Sequence, residues 1–140
     1  MLIGKMRSVL IVDDEVGIRE SLKMILGKDY ELFLAKNAEE TFSEIKEHSP
    51  DVVLLDIILP DLDGLKVLER IKQNDPNIIV IMVTATTTVK TALQAKKLGA
   101  YGYVTKPFDI DELRLIITQS LSAKALEQEV KNRRKEMDGV

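Results

Sequence analysis

Five polar residues in this sequence stand at or just after the ends of short, largely apolar runs: Asp13 and Asp14, Asp56, Thr84 and Lys106. Asp13, Asp14 and Asp56, if brought within a few ångströms, would repel one another, and partial burial would raise the cost of their charges, so they need protonation or a bound cation. Mg²⁺ is the natural candidate, because it prefers hard oxygen ligands, keeps several waters and is commonly completed by phosphate oxygens. The backbone carbonyl of Ile58 could join the shell. With a metal screening its charge, an Asp56 oxygen could attack phosphorus in a phosphoryl donor and form an acyl phosphate. Lys106 and the Thr84 hydroxyl could then contact phosphoryl oxygens, which suits a transition state stabilised by positioning and charge. Each piece alone has a plainer reading. Asp13-Asp14-Glu15 also fits a helix N-terminus, Asp56 and Lys106-Pro107 fit turns, and Thr84 could begin a loop in which Thr86, Thr87 or Thr88 caps the next helix. Their joint placement gives the chemical reading its force.

That placement depends on the elements between them. Ser8 to Val12, Glu31 to Ala35, Val52 to Leu55, Ile78 to Val83 and Tyr101 to Val104 read as strands. Between them, helical spacing links Leu22, Ile25 and Leu26, then Ala38, Phe42 and Ile45, then Leu65, Leu68 and Ile71, then Val89, Leu93 and Leu98. Asn37 and Asp63 suit N-caps, Gly27 and Gly99 suit C-terminal glycines, and Pro50 and Pro76 prevent helix continuation. The first, third and fourth strands are apolar on both faces, as in a parallel sheet covered by helices on each side. The alternation predicts an α/β, doubly wound, five-stranded parallel sheet of order 2-1-3-4-5. In such a sheet every polar residue named above lies at the carboxyl edge, and the ligand crevice opens between the first and third strands.

Composition narrows the alternatives. The 140 residues suit one domain, and 45% hydrophobic with 31% charged residues excludes a disordered chain. Twenty Lys and Arg against 23 Asp and Glu leave a charge of -3, which offers no overall attraction to nucleic acid or anionic membrane. The lack of cysteine and the single His48 exclude thiolate and two-histidine metal sites. His48 itself reads as a surface residue on a helix's polar face. No apolar run approaches the ~20 residues that span a bilayer. Met1 to Ser8 leads into too short an apolar run for a secretory signal, so the expected location is cytoplasmic.

The final helix is expected to run from Asp109 to about Glu136, longer than the sheet requires. Ala123, Leu126, Val130, Arg133 and Met137 follow a 3-4-3-4 spacing, a short coiled-coil seam with one charge in it. A frayed tail is the alternative. The expected division is a domain over residues 1–121 and a helical extension over 122–140 leading toward an output domain.

Residues 7 to about 121 resemble the receiver domain of two-component response regulators. Asp13-Asp14 match the family's metal-binding acids, Asp56 its phosphoacceptor, Thr84-Ala85 its switch hydroxyl and small neighbour, and Lys106-Pro107 its lysine and proline. Leu59-Pro60-Asp61-Leu62-Asp63-Gly64 resembles the family's loop after the phosphoacceptor. The resemblance implies a flavodoxin-like receiver fold and Mg²⁺-dependent phosphotransfer to Asp56 from the phosphohistidine of a sensor histidine kinase. It implies a phosphoacceptor rather than a turnover enzyme, limited to self-phosphorylation and autodephosphorylation. It also implies switching through Thr84 and Tyr103, kinase contact near Gly17, Ile18 and Ser21, and tuning of phosphate loss by Ile58 and Thr86. For Ile18, core packing is an equal alternative. The implied output surface is the fourth helix, fifth strand and fifth helix, through which, with the C-terminal helix, a homodimer is expected. No direct nucleic-acid binding and no membrane contact are expected of this domain. The final helix and the segment Lys106 to Leu113 are most similar to receivers of enhancer-type (NtrC-like) transcription activators.

Two other functions are compatible with the same crevice. A flavin binder would want a hydroxyl- and glycine-rich first loop, where this chain has carboxylates that repel a bare phosphate. A phosphoaspartyl phosphatase would want a general acid at position 58, and Ile58 cannot serve.

Overall fold

The computed structural model describes residues 6–86 and 88–138. Met1 to Lys5, part of the segment weighed as a signal, lie outside the described residues, as do Thr87, one of the three threonines offered as a cap, and Gly139 and Val140. Five strands alternate with five helices: β1 (Ser8–Val12), α1 (Val16–Leu26), β2 (Glu31–Ala35), α2 (Ala38–His48), β3 (Val52–Leu55), α3 (Gly64–Asn74), β4 (Ile79–Thr84), α4 (Val89–Lys97), β5 (Gly102–Thr105) and α5 (Ile110–Asp138). All neighbouring strands pair in parallel, in the order β2-β1-β3-β4-β5.

Every residue of β1, β3 and β4 is buried, because side chains alternate between two covered faces. On one face Leu10, Val12, Val53, Leu55, Val80 and Met82 meet Val67, Leu68 and Ile71 of α3, with Ala38 and Ala95 from the flanking helices. On the other, Val9, Ile11, Leu54 and Ile81 meet Leu22 and Leu26 of α1 and Leu113 and Ile117 of α5. Each fully buried Leu or Ile contributes about 2 kcal/mol relative to exposure, so both layers hold the sheet firmly.

Local chemistry sets the element ends. The Asn37 side chain accepts from Glu40 N at 2.8 Å, Asp63 from Leu65 N at 2.8 Å and Thr88 from Thr91 N at 3.2 Å. Gly99 takes φ of 103°, where only glycine is unstrained, whereas Gly27 remains right-handed with φ of -66°. The left-handed residue ending α2 is Ser49, ahead of Pro50. Both β4 and β5 sit one residue later than the apolar runs suggest. Ile78 closes a turn onto Asp75 O, and pairing instead extends to Thr84 with Thr105. In α4 the spacing of Val89 and Leu93 does not mark a core face: they are 74% and 56% exposed, and the buried residue is Ala95. A small residue there lets the helix lie close to the sheet while its larger apolar side chains face outward.

Helix α5 runs 29 residues, about 43 Å at 1.5 Å per residue. Asp109 accepts from Asp111 N at 2.8 Å at its start. Leu113, Ile117 and Ser120 are buried, but from Ser122 to Met137 every side chain except that of Lys124 is exposed. Among the described residues, no helix is long and apolar enough to cross a membrane.

Candidate functional site

Parallel strands deliver their last residues to one edge, and there the buried polar side chains gather. Asp13, Asp56 and Thr84 are 3%, 6% and 0% exposed. Backbone bonds hold their carriers: Asp13 N donates to Ala35 O at 3.1 Å, Asp56 N to Val12 O at 3.2 Å and Lys106 N to Thr84 O at 2.9 Å. From the end of β5, past the cis Lys106-Pro107 peptide's first residue, the Lys106 ammonium reaches into the crevice between β1 and β3. Its Nζ lies 2.5 Å from Asp13 Oδ2 and 2.7 Å from Asp56 Oδ2. One cation thus joins two carboxylates that would otherwise repel each other in a water-poor setting. Burial alone would lower the Lys106 pKa, but the bonds to Asp13 and Asp56 and their charges outweigh it and raise it above 10.5. The lysine is charged at any ordinary pH.

The remaining carboxylate oxygens are held by backbone amides. Glu15 N donates to Asp13 Oδ1 at 2.9 Å and Ile58 N to Asp56 Oδ1 at 3.2 Å. Arg19, from α1, donates to the Asp13 carbonyl at 2.7 Å and braces the β1–α1 turn. Asp13, Asp14 and Glu15 each present an oxygen, all within 4.8 Å of one another, with Asp14 and Glu15 exposed. Asp56 meets Asp13 through Lys106 rather than within that acidic trio. The donors are all hard oxygens without cysteine or histidine, a set that fits a small divalent cation such as Mg²⁺.

The loop after Asp56 is tightly folded. Gly64 N donates to Ile57 O at 2.6 Å, and a Cβ on Gly64 would lie 2.2 Å from Asp56 O and 2.5 Å from Ile57 Cα. Only glycine fits that approach. Ile58 is 64% exposed at the mouth of the site and offers no polar side chain.

Thr84 and Tyr103 lie at the neighbouring β4 and β5 ends. Thr84 Oγ1 accepts from Thr86 N at 3.3 Å, and the Tyr103 hydroxyl donates to the Thr86 carbonyl. Tyr103 packs partly buried against the α3 side of the core. Burial first, and then the negative charge of Asp56, raises its phenol pKa above 10 and keeps it a donor. Gly17 and Ser21 are exposed on α1, whereas Ile18 is half-buried against the core. Ile18 therefore gives part of its side chain to packing and leaves part exposed. His48 is exposed at the end of α2, where its ring stacks on Phe33 at 3.9 Å between centroids and its Nε2 lies 3.4 Å from Glu44. It is a surface residue with a packing role.

Sequence reasoning did not single out Glu15 or Arg19 for the site, and took Gly64 only as part of the loop motif after Asp56. Three consecutive acids were the available signal for Glu15. The Arg19 contact depends on how a turn closes in space and leaves little trace in residue type, and for Gly64 the sequence shows the glycine but not the backbone it approaches.

Comparison with known proteins supplies the relationships. The model of the response regulator receiver domain matches residues 9–118. The chain is 37% identical over 125 residues to Regulatory protein AtoC of Escherichia coli, across 89% of this chain and 27% of that protein. It is 40% identical over 118 residues to Sporulation initiation phosphotransferase F of Bacillus subtilis, across 84% of this chain and 95% of that one. The chain thus spans about a quarter of the first relative's length and nearly all of the second's. Among solved structures it is similar to NtrX from Brucella abortus, with a TM-score of 0.87 and 36% identity over 94% of this chain and 30% of that one.

Proposed function

Because the chain belongs to the response regulator receiver family of two-component signalling proteins, we propose that Asp56 accepts a phosphoryl group from the phosphohistidine of a sensor histidine kinase. The observation that carries this reading is the Lys106 ammonium held between Asp13 and Asp56, at 2.5 and 2.7 Å, at the carboxyl edge of the sheet. Asp13, Asp14, Asp56 and the Ile58 carbonyl would hold Mg²⁺. That ion, when bound, supplies charge neutralisation between the carboxylate and the incoming phosphoryl oxygens. An Asp56 oxygen then forms the new O–P bond as the donor's N–P bond breaks, and the freed imidazole carries the electron pair. Lys106 pairs with phosphoryl oxygen, and the Thr84 hydroxyl turns to do likewise, drawing the Thr86 backbone and the Tyr103 phenol bonded to it.

The chain is a stoichiometric acceptor rather than a turnover enzyme, self-phosphorylating from small donors and losing phosphate by hydrolysis. Ile58 and Thr86 tune that loss, and an aliphatic Ile58 that orients no water favours a long-lived adduct. Kinase contact is assigned to the start of α1, with Gly17 and Ser21 open to it and Ile18 half committed to packing. Residues 1–121 form the receiver, and 122–140 a helical extension toward an output module of the enhancer-type activators. Val89 and Leu93 on α4, Tyr101 just before β5 and Leu115 on α5 are exposed, which supports a homodimer through that face continued by α5. The domain acts in the cytoplasm, where the kinase's phosphohistidine lies, and makes no direct contact with nucleic acid or membrane.

Intact mass after incubation with acetyl phosphate and Mg²⁺ tests the reading. A single phosphoryl adduct is expected, absent in Asp56→Ala and after chelation. A folded wild-type chain that takes no phosphoryl group would overturn it.

A further inference from the structure

The loop from Ile57 to Asp63 leaves the crevice, yet its outermost carboxylate returns to bind a different element. Asp61 Oδ1 accepts from Ala38 N at 2.8 Å and Oδ2 from Glu39 N at 3.0 Å. Those amides belong to the first turn of α2 and have no partner within the helix. Asn37 serves only the next one, Glu40 N. The helix therefore draws its N-terminal satisfaction from two sources, one local and one 22 to 23 residues away. Since α2 follows β2, and β1 lies between β2 and β3, the Asp61 contact links the chain beyond the ends of the two strands that flank β1, whose end carries Asp13. It ties the rim of the crevice on the Asp56 side to the rim beyond Asp13.

We propose that Asp61 is a positioning residue for the phosphoacceptor site, clamping the loop after β3 to the N-terminus of α2 so that the Ile58 carbonyl and the Asp56 carboxylate keep a fixed relation to Asp13. The inference rests on the phosphoacceptor reading and deepens it. The loop has its own anchors at each end, Ile58 N on Asp56 Oδ1 and Gly64 N on Ile57 O, but between them only the Asp61 side chain joins it by hydrogen bonds to another element among the described residues. Leu59 and Leu62 of the loop also pack, partly buried, against the core; without Asp61 the loop keeps these apolar contacts and its chain connections and loses its hydrogen-bonded tie to α2. The helix dipole favours an anion at this place, so the carboxylate rather than a neutral group is the fitting clamp.

The full chain is tested by Mg²⁺ titration calorimetry and by the rate of adduct formation with acetyl phosphate, in wild type, Asp61→Ala, Asp61→Asn and Asn37→Ala. The expected result is Mg²⁺ affinity roughly tenfold weaker in Asp61→Ala, the scale on which partners of ligating groups act. Asp61→Asn, which keeps one acceptor oxygen, should fall between it and wild type and preserves the fold if the alanine variant does not. Asn37→Ala weakens the same helix without touching the loop, and should lower the melting temperature while leaving Mg²⁺ affinity unchanged. Wild-type affinity in both Asp61 variants, or an equal loss of affinity in Asn37→Ala, would overturn the clamp while leaving the phosphoacceptor reading intact. A wild-type chain that forms no adduct overturns both.

Discussion

At the scale of single residues, the site is organised by one ammonium serving two acids. Lys106 has a side chain 12% exposed, against 4% and 8% for Asp13 and Asp56, so removing it leaves two desolvated carboxylates facing each other. We expect Lys106→Ala to lose about 3 kcal/mol in urea denaturation without metal, with much of that restored by saturating Mg²⁺. A metal-independent loss would mean that packing rather than charge dominates. Asp61 shows the opposite case of an exposed carboxylate made useful by geometry. Its pKa is held below 3.8, chiefly by the Ala38 amide. A depressed carboxyl contributes fully above its unfolded value and loses that contribution as pH falls through the folded one. The amide signals of Ala38 and Glu39 should therefore move in an NMR titration at a lower pH than an ordinary aspartate would give. The acids, the threonine and the lysine were legible because each is a polar residue abruptly ending an aliphatic run. Asp61 was legible only as part of a motif, because its partners lie on another helix and nothing in the local spacing announces them.

Elements register differently. The runs that became β1, β2 and β3 were read at their true ends, because turns bounded by charged or proline residues flank them. The later two were displaced by one residue, since apolar side chains continue into the turns at Ile78 and Tyr101. Helix α4 was the least legible: alternate aliphatic residues suggested an inward face, but the sheet accepts only Ala95 closely. Glycines offer a direct test of which closures are rigid. At Gly64 the obstacle to a Cβ is backbone, Asp56 O and Ile57 Cα, whereas at Gly102 it is the flexible end of Ile116, also at 2.2 Å. We expect Gly64→Ala to cost about 3 kcal/mol and to slow phosphorylation, and Gly102→Ala to cost closer to 1 kcal/mol, because a side-chain tip can yield. Paired denaturation curves for the two variants would check this, and equal losses would place the strain elsewhere.

For the whole molecule, the sheet order and two-layer packing followed from strand and helix alternation, whereas the reach of α5 concerns what lies beyond one chain. Leu126, Val130 and Met137 are 62%, 41% and 78% exposed at positions spaced as a coiled-coil seam. In a parallel pair, Glu129 of one helix and Arg134 of the other would flank that seam with opposite charges. Arg133 on the seam is drawn aside by Glu129, at 2.8 Å in its own chain. Val130→Glu should raise the dimer dissociation constant by at least tenfold in sedimentation equilibrium, while the monomer melts as before. An unchanged constant would assign dimer contacts to α4 and β5 alone.

The span between the partners of the central cation has a further meaning during synthesis. Lys106 stands 93 residues after Asp13 and 50 after Asp56, and it follows β5, the last strand in chain order. Chains emerge from the ribosome at about 5–20 residues per second, so both acids are present for several seconds before their shared countercharge exists. A nascent or prematurely terminated chain therefore has Asp13 and Asp56 but no lysine to join them. In the proposed mechanism such a chain lacks the ammonium that pairs with phosphoryl oxygen, so the acceptor site is complete only once β5 and Lys106 have been made.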